Sequence, residues 1–296
     1  MDKTLRVGLI GTGPWAKSVH APGLADHPGT SLAAVWSRRS EPAKELAEAH
    51  GATAAASFEE LLDRVDAVAF AVPPAIQADL AIQAARAGKH VILEKPIAAD
   101  LDSAQRLADA VSEAGVVSLV MLTLRYAAQT REWLAGVAAS GGWQGGSVKW
   151  LSGALLGGPY EGSAWRKEDG ALADIGPHAF DLMDAALGEI TEVLAAHRTD
   201  ADLWQLMFAH SGGATSTVTL SLRLPIDPTV VEFAVFGEHG YRSLGRRQGA
   251  ANDSYTSLLD DFAAMVASGT TSHDCDVHRG LHLQRVIHQA QLLLRG

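Results

Sequence analysis

The stretch Val7-Gly8-Leu9-Ile10-Gly11-Thr12-Gly13-Pro14-Trp15-Ala16 decides the fold. Its first four residues read as a buried strand, and Gly11 to Ala16 form a G-x-G-x-x-A turn that opens onto a helix over residues 15–24. Gly11 permits the tight turn, Gly13 lets the backbone approach a pyrophosphate, and Ala16 is small enough for the helix to pack on the strand. Thr12, Pro14 and Trp15 complete the loop, and the amides of the helix N-terminus face the anion. A glycine pair by itself is ordinary turn chemistry. Placed between the first strand and the first helix of a strand–helix series, it points to a dinucleotide site.

That series continues outward. Residues 32–36, 67–71 and 91–93 read as further buried strands, residues 41–50, 77–87 and 102–114 as the helices between them, and residues 116–123 as one more apolar strand. Alternation of this kind calls for a parallel sheet covered by helices on both faces. The second strand ends in Val35-Trp36-Ser37-Arg38-Arg39. An NAD site usually carries a carboxylate about 20 residues past the glycines to bind the ribose hydroxyls. Here that slot holds a hydroxyl and two guanidinium groups, which suit a 2′-phosphate, so Ser37, Arg38 and Arg39 predict NADP(H) over NAD(H).

After residue 123 the texture changes to longer alternating segments at 147–152, 190–198, 203–209, 215–224, 230–236 and 241–244, with 141–146 read as a glycine-rich loop. This predicts a large, mainly antiparallel open sheet, with helices over residues 172–187 and 257–267 covering one face. The expected architecture is therefore α/β: a doubly wound Rossmann domain over 1–122 and an α+β substrate-binding and oligomerisation domain over 123–296. A last helix runs from about 277 to 294, with Asp276 as its cap. The His273-Asp274-Cys275-Asp276-Val277-His278 run is read as structural rather than as a metal site.

Composition narrows the partners. The 296 residues carry 24 Lys and Arg against 34 Asp and Glu, a formal net charge of -10 that disfavours nucleic acid and anionic membranes. Apolar runs fall short of the about 18 to 20 residues needed to cross a bilayer. With no secretory pattern at the start and the single cysteine Cys275, cytoplasmic residence is expected.

At Gly88-Lys89-His90-Val91-Ile92-Leu93-Glu94-Lys95-Pro96 the sequence resembles the Gfo/Idh/MocA family of oxidoreductases, which includes glucose-fructose oxidoreductase and inositol dehydrogenase. The resemblance extends to the Gly11 loop, Pro73-Pro74 and the stretch Gly170-Ala171-Leu172-Ala173-Asp174-Ile175-Gly176-Pro177-His178. It implies a nicotinamide-dependent enzyme acting on a carbinol or carbonyl carbon of a sugar, inositol or keto compound. It also implies an active site in the cleft between the domains and a homodimer or homotetramer. Val72, Pro73, Pro74, Gln77 and Glu94 fall among the implied cofactor contacts, although Gln77 stands where many relatives carry histidine.

The residues support the chemistry independently. Hydride transfer to a carbonyl leaves an alkoxide, which needs a cation or donor at the oxygen and a group that titrates near neutrality. Lys95, just past a strand end, and His178 fit these roles. Asp174 lies four residues before His178, on the same face if the segment is helical, and is expected to orient substrate. Arg125, Tyr126, Trp165 and Arg166 are candidate substrate contacts, with packing as the competing reading. No third ligand marks a metal site. A non-catalytic ligand sensor on the same fold is the rival function; loss of Lys95, Asp174 or His178 would favour it, and all three are present.

Overall fold

A computed structural model describes residues 4–157, 162–246 and 248–294. The chain forms two compact units, the first comprising 1–123 and 250–281, the second 124–249 and 282–296.

In the first unit, in chain order, are β1 (Leu5–Ile10), a π-helical turn (Ala16–His20) running into α1 (Ala21–Asp26), β2 (Thr30–Trp36), α2 (Ser40–Ala49), β3 (Thr53–Ala54), α3 (Phe58–Arg64), β4 (Ala67–Phe70), α4 (Pro74–Arg86), β5 (His90–Leu93), α5 (Leu101–Ala114) and β6 (Ser118–Val120). The six strands pair in parallel in the order β3-β2-β1-β4-β5-β6. Val7, Leu9, Val68, Phe70, Val91 and Ile92 are completely buried. Such near-continuous apolar strands are what a sheet covered on both faces requires. The order reverses between β1 and β4, so the loops after these strands flank the switch point where ligands bind in doubly wound sheets.

The short strand β3 and helix α3 go beyond the sequence reading. Helix α3 is announced by Ser57, whose hydroxyl accepts the Glu60 amide at 3.1 Å while the Glu60 carboxylate accepts the Ala56 amide at 2.8 Å. That is a reciprocal cap. Helix α4 starts at Pro74, three residues before the expected start at 77, because the fixed φ and missing amide of proline are tolerated in a first helical turn.

The second unit contains α6 (Ala128–Ser140), β7 (Trp143–Leu151), α7 (Ala164–Asp174), α8 (Gly176–Leu187), β8 (Ile190–Arg198), β9 (Trp204–His210), β10 (Thr215–Ser221), β11 (Val230–Gly237) and β12 (Gly240–Gly245). Its sheet has the order β12-β11-β7-β10-β9-β8 and is antiparallel except where β7 pairs with β10 in parallel. The sheet is thus mixed. Helix α8 lies against it, burying Phe180, Leu182 and Met183. The expected loop at 141–146 is shorter, since Trp143 to Gly146 belong to β7. The reason is steric: a Cβ on Gly145 would press into the Phe236 ring, and one on Gly146 would meet the Ala234 carbonyl and Leu187.

Two helices follow. Helix α9 (Ala251–Ser268) was expected to cover the second sheet, but it packs on α1, the π-helical turn and β6 of the first unit. An amphipathic stripe says that one face is buried, not against what. Helix α10 (Val277–Leu293) closes the chain. Asp276 caps it as expected, its carboxylate accepting the amides of His278 at 2.9 Å and Arg279 at 3.3 Å. Among the described residues no helix is long and apolar enough to cross a membrane.

His90, at the start of β5, gives the first unit a pH signature. Its Nδ1 accepts the Val117 amide at 3.0 Å, and its ring meets Phe262 edge-on. Burial lowers its pKa from the ordinary value, with Asp66 opposing the shift. A histidine held neutral stabilises the fold fully above its unfolded pKa, and the contribution is lost as pH falls below about 6.5 toward the folded value. A melting series from pH 7.5 to 5 should therefore show stability falling in acid, with a shallower slope in His90→Gln. An identical slope in the two proteins would contradict this.

Candidate functional site

The phosphate loop has the backbone its sequence requires. Gly11 adopts φ +110°, and a Cβ there would collide with the Ala71 carbonyl. Nothing lies within 4 Å of the position a Cβ would take on Gly13. The close turn and the open approach together fit a pyrophosphate laid against the loop, with Thr12 half-buried and Pro14 exposed beside it. At the end of β2 the Ser37 hydroxyl donates to the Arg39 carbonyl at 2.6 Å, and Arg38 and Arg39 are exposed. Val72 is half-buried and Pro73 exposed, while Pro74 is buried as the first residue of α4.

Glu94-Lys95-Pro96 leaves the carboxyl end of β5 and is gripped from two sides. From below, Gln77 Nε2 donates to the carbonyls of Glu94 at 2.7 Å, Ile97 at 3.1 Å and Pro96 at 3.3 Å, while its Oε1 accepts the Glu94 amide at 2.8 Å. Gln77 is completely buried. This corrects its expected place among the cofactor contacts: its amide holds the turn that carries Lys95, which is itself half-buried.

From the side, the Trp15 indole donates to Glu94 Oε1 at 2.6 Å, and His20 Nε2 lies 2.9 Å from the same oxygen. His20 Nδ1 is 3.1 Å from the hydroxyl of Tyr255, on α9. Burial, with the Glu94 charge adding to it, raises the Tyr255 pKa well above the ordinary phenol value. A carboxylate can only accept, so the His20 Nε2–H donates to Glu94, and the Tyr255 hydroxyl partners Nδ1 on the other side of the ring. Neither His20 nor Tyr255 was found by sequence reasoning. A lone histidine five residues after a tryptophan carries no signal until the helix between them is known to be π-helical.

The second unit presents a separate set. Asp174 ends α7 and His178 lies in the first turn of α8, with Pro177 between them. The expected single helix over 172–187 is thus two, and the face-sharing argument from four-residue spacing does not apply as stated, because a proline starts a new helix here. His178 is 6% exposed and stacks on Trp150, ring centroids 5.9 Å apart at 27°. Trp150 belongs to β7, on the face that α8 covers.

Asp174 accepts from Arg166 Nε at 3.1 Å, and the same guanidinium lies 4.5 Å from the centroid of the Trp165 ring. Arg125 Nη1 is 3.5 Å from Asp181 Oδ1, one helical turn past His178. Tyr126 is 1% exposed under the Arg131 guanidinium, so its expected role as a substrate contact gives way to packing.

Asp202 was not anticipated. Buried at φ +55°, its carboxylate accepts the Ala171 amide at 2.7 Å and the Trp204 indole at 2.9 Å, and pairs with Arg198 at 3.2 Å. It abuts Gly170, whose φ of +67° and ψ of -154° interrupt α7. The short helical segment ending at Asp174 is therefore capped from a distant loop, 31 residues on.

Comparison with known proteins agrees with these features. Residues 5–122 match the model of an oxidoreductase family with an NAD-binding Rossmann fold, and residues 146–242 match the GFO/IDH/MocA C-terminal domain. A dTDP-3,4-didehydro-2,6-dideoxy-alpha-D-glucose 3-reductase of Streptomyces violaceoruber is 40% identical over 117 residues, 39% of this chain. The matched stretch spans about a third (34%) of that relative's length. Among solved structures, the WlbA dehydrogenase of Bordetella pertussis, in complex with NADH and UDP-GlcNAcA, aligns with a TM-score of 0.86 at 22% identity, covering 99% of this chain and 97% of that one. KijD10, a 3-ketoreductase of Actinomadura kijaniata in complex with NADP, aligns at 0.78 and 22%, covering 98% and 97%. These structural likenesses establish a shared fold.

The Gln77 grip has a measurable cost when removed. Gln77→Leu leaves the Glu94 amide and the carbonyls of the turn without their buried partner, and should destabilise the protein by about 1–3 kcal/mol in urea titration. A change below about 0.5 kcal/mol would mean that the turn holds itself.

Proposed function

Because the chain belongs to the Gfo/Idh/MocA family of oxidoreductases, we propose that it is an NAD(P)-dependent dehydrogenase or reductase. Its substrate is a sugar, inositol or related small molecule with a carbinol or carbonyl carbon. The observation that carries this reading is the immobilised Glu94-Lys95-Pro96 turn, which places an ammonium group at the carboxyl edge of the parallel sheet. Bound nicotinamide supplies the hydride in reduction and accepts it in oxidation. Gly11, Gly13 and the amides of the first helical turn hold the pyrophosphate, with Thr12, Pro14, Trp15 and Ala16 shaping the loop.

When a carbonyl carbon gains hydride, its oxygen takes up the electron pair as an alkoxide. Lys95 stabilises that charge, and His178 delivers the proton that completes the alcohol. In the opposite direction His178 removes the hydroxyl proton. Asp174, held by Arg166 at 3.1 Å, orients substrate hydroxyls by accepting their hydrogen bonds. Burial of the His178 ring beside Trp150 limits its rotation, which suits a group that must present one nitrogen to one oxygen.

The nucleotide is NADP(H) by preference, since the end of β2 offers Ser37, Arg38 and Arg39 and no carboxylate. Self-association through the second sheet belongs to the same reading. Met207, Phe236 and Tyr241 are exposed on strands of that sheet, on the side away from α8.

Lys95→Met and His178→Ala should each lower turnover by about 10² to 10⁴-fold. Dinucleotide affinity, measured by calorimetry, should stay within a few-fold. Near-normal turnover in both variants would retire the assignment. Wild-type protein should bind NADP(H) more tightly than NAD(H), and Arg38→Ala with Arg39→Ala should erase about tenfold of that preference. Equal affinities in the wild type would remove the argument.

A further inference from the structure

We propose that Glu94 is a positioning residue that ties the phosphate loop to Lys95 through a single carboxylate oxygen, and that the π-helical turn after the loop makes this tie possible. The inference rests on the reading that Lys95 and the bound nucleotide act together. It differs from the expectation that Glu94 is itself a cofactor contact.

The geometry begins with helix pitch. Trp15 and His20 are five residues apart, a step that in an α-helix of 3.6 residues per turn leaves two side chains about 140° from each other. They could not then reach one acceptor. Here the Ala21 amide bonds to the Ala16 carbonyl, the five-residue closure of a π turn, and that wider turn brings His20 back beneath Trp15. Both N–H groups converge on Glu94 Oε1, at 2.6 Å and 2.9 Å.

The far side of His20 is fixed as well. Its side chain is fully buried, its ring lies 4.7 Å from that of Tyr255, and the Tyr255 hydroxyl meets Nδ1. Glu94 is only 14% exposed. Its side chain is held by Trp15 and by His20, which Tyr255 of α9 backs from the other side, while its backbone is held by Gln77 of α4, so three separate segments determine where the next residue, Lys95, begins. A buried carboxylate that already accepts two N–H groups is costly to turn toward another partner. A displacement of Trp15 would therefore displace the lysine turn with it.

The test uses the full-length protein as wild type, Glu94→Gln, His20→Leu, His20→Gln, Tyr255→Phe and the double variant Glu94→Gln with His20→Leu. Three quantities are read: hydrogen exchange of the 94–98 segment without nucleotide, the dissociation constant of NADP(H), and kcat and KM for a substrate that wild type turns over. Glu94→Gln and His20→Leu should each speed exchange of the segment about tenfold. Each should lower kcat by about 10 to 100-fold, with NADP(H) affinity and KM within about threefold.

His20→Gln should recover much of the loss, because its amide can replace the Nε2 donor. The double variant should be no worse than the poorer single, as expected when two changes break one bond. Tyr255→Phe, which keeps the buried ring, should move exchange and kcat in the same direction by a smaller factor and guards against a misfolded His20→Leu. The proposal is overturned if His20→Leu and Tyr255→Phe leave exchange and kcat unchanged while Glu94→Gln alone weakens NADP(H) binding by tenfold or more, the behaviour of a ribose ligand. If wild type binds no nicotinamide dinucleotide, the functional reading fails, and the exchange measurements still decide the tie.

Discussion

The buried amide of Gln77 is the interaction on which the functional geometry of the first unit depends. It serves the turn as a strand neighbour would, giving donors to carbonyls and an acceptor to the Glu94 amide where the β5 ladder ends. Backbone groups that leave a sheet in a buried setting must find partners, and a side chain that supplies several at once fixes the path of the chain. With the path fixed, Glu94 is available to Trp15 and His20, and Lys95 follows as the next residue. Removing this support would leave the lysine on an ordinary mobile loop, where its charge would have no defined place relative to the nucleotide loop.

The second unit reaches a comparable end by other means. A glycine in a conformation open to few other residues breaks α7, a distant aspartate caps the segment after the break, and a proline starts the helix that carries His178. Both units thus hold their ionisable candidates with buried polar groups contributed from far along the chain. Such groups are stable only when fully satisfied, and they confer orientation that apolar packing alone does not.

Much of this was legible in the residues and some was not, for identifiable reasons. The glycine loop, the five apolar strands of the first unit and the Glu94-Lys95-Pro96 turn follow from local rules, because strand, turn and helix start are determined by neighbouring residues. Helix α3 also had its signal, Ser57 with Glu60, but only seven residues of pattern behind it. The destination of α9 was not local information, since an apolar stripe does not name the surface it packs on. The parallel pairing of β7 with β10 is likewise a property of topology, not of either strand. His20, Tyr255 and Asp202 were invisible as functional residues, and Gln77 was expected at the cofactor rather than beneath the lysine turn, for the same reason: each acts on a partner many positions away, and the chemistry of glutamine, histidine, tyrosine or aspartate alone does not name the partner.

The most direct measurement of the central claim is transfer of label from reduced NADP carrying deuterium at the reactive nicotinamide carbon. Wild-type protein, offered a panel of keto sugars and keto inositols, should place the deuterium on the carbinol carbon of the product, as seen by mass spectrometry, with one equivalent of oxidised cofactor formed per product. Consumption of substrate with the label still on the nicotinamide, or no transfer to any member of the panel despite tight nucleotide binding, would contradict it.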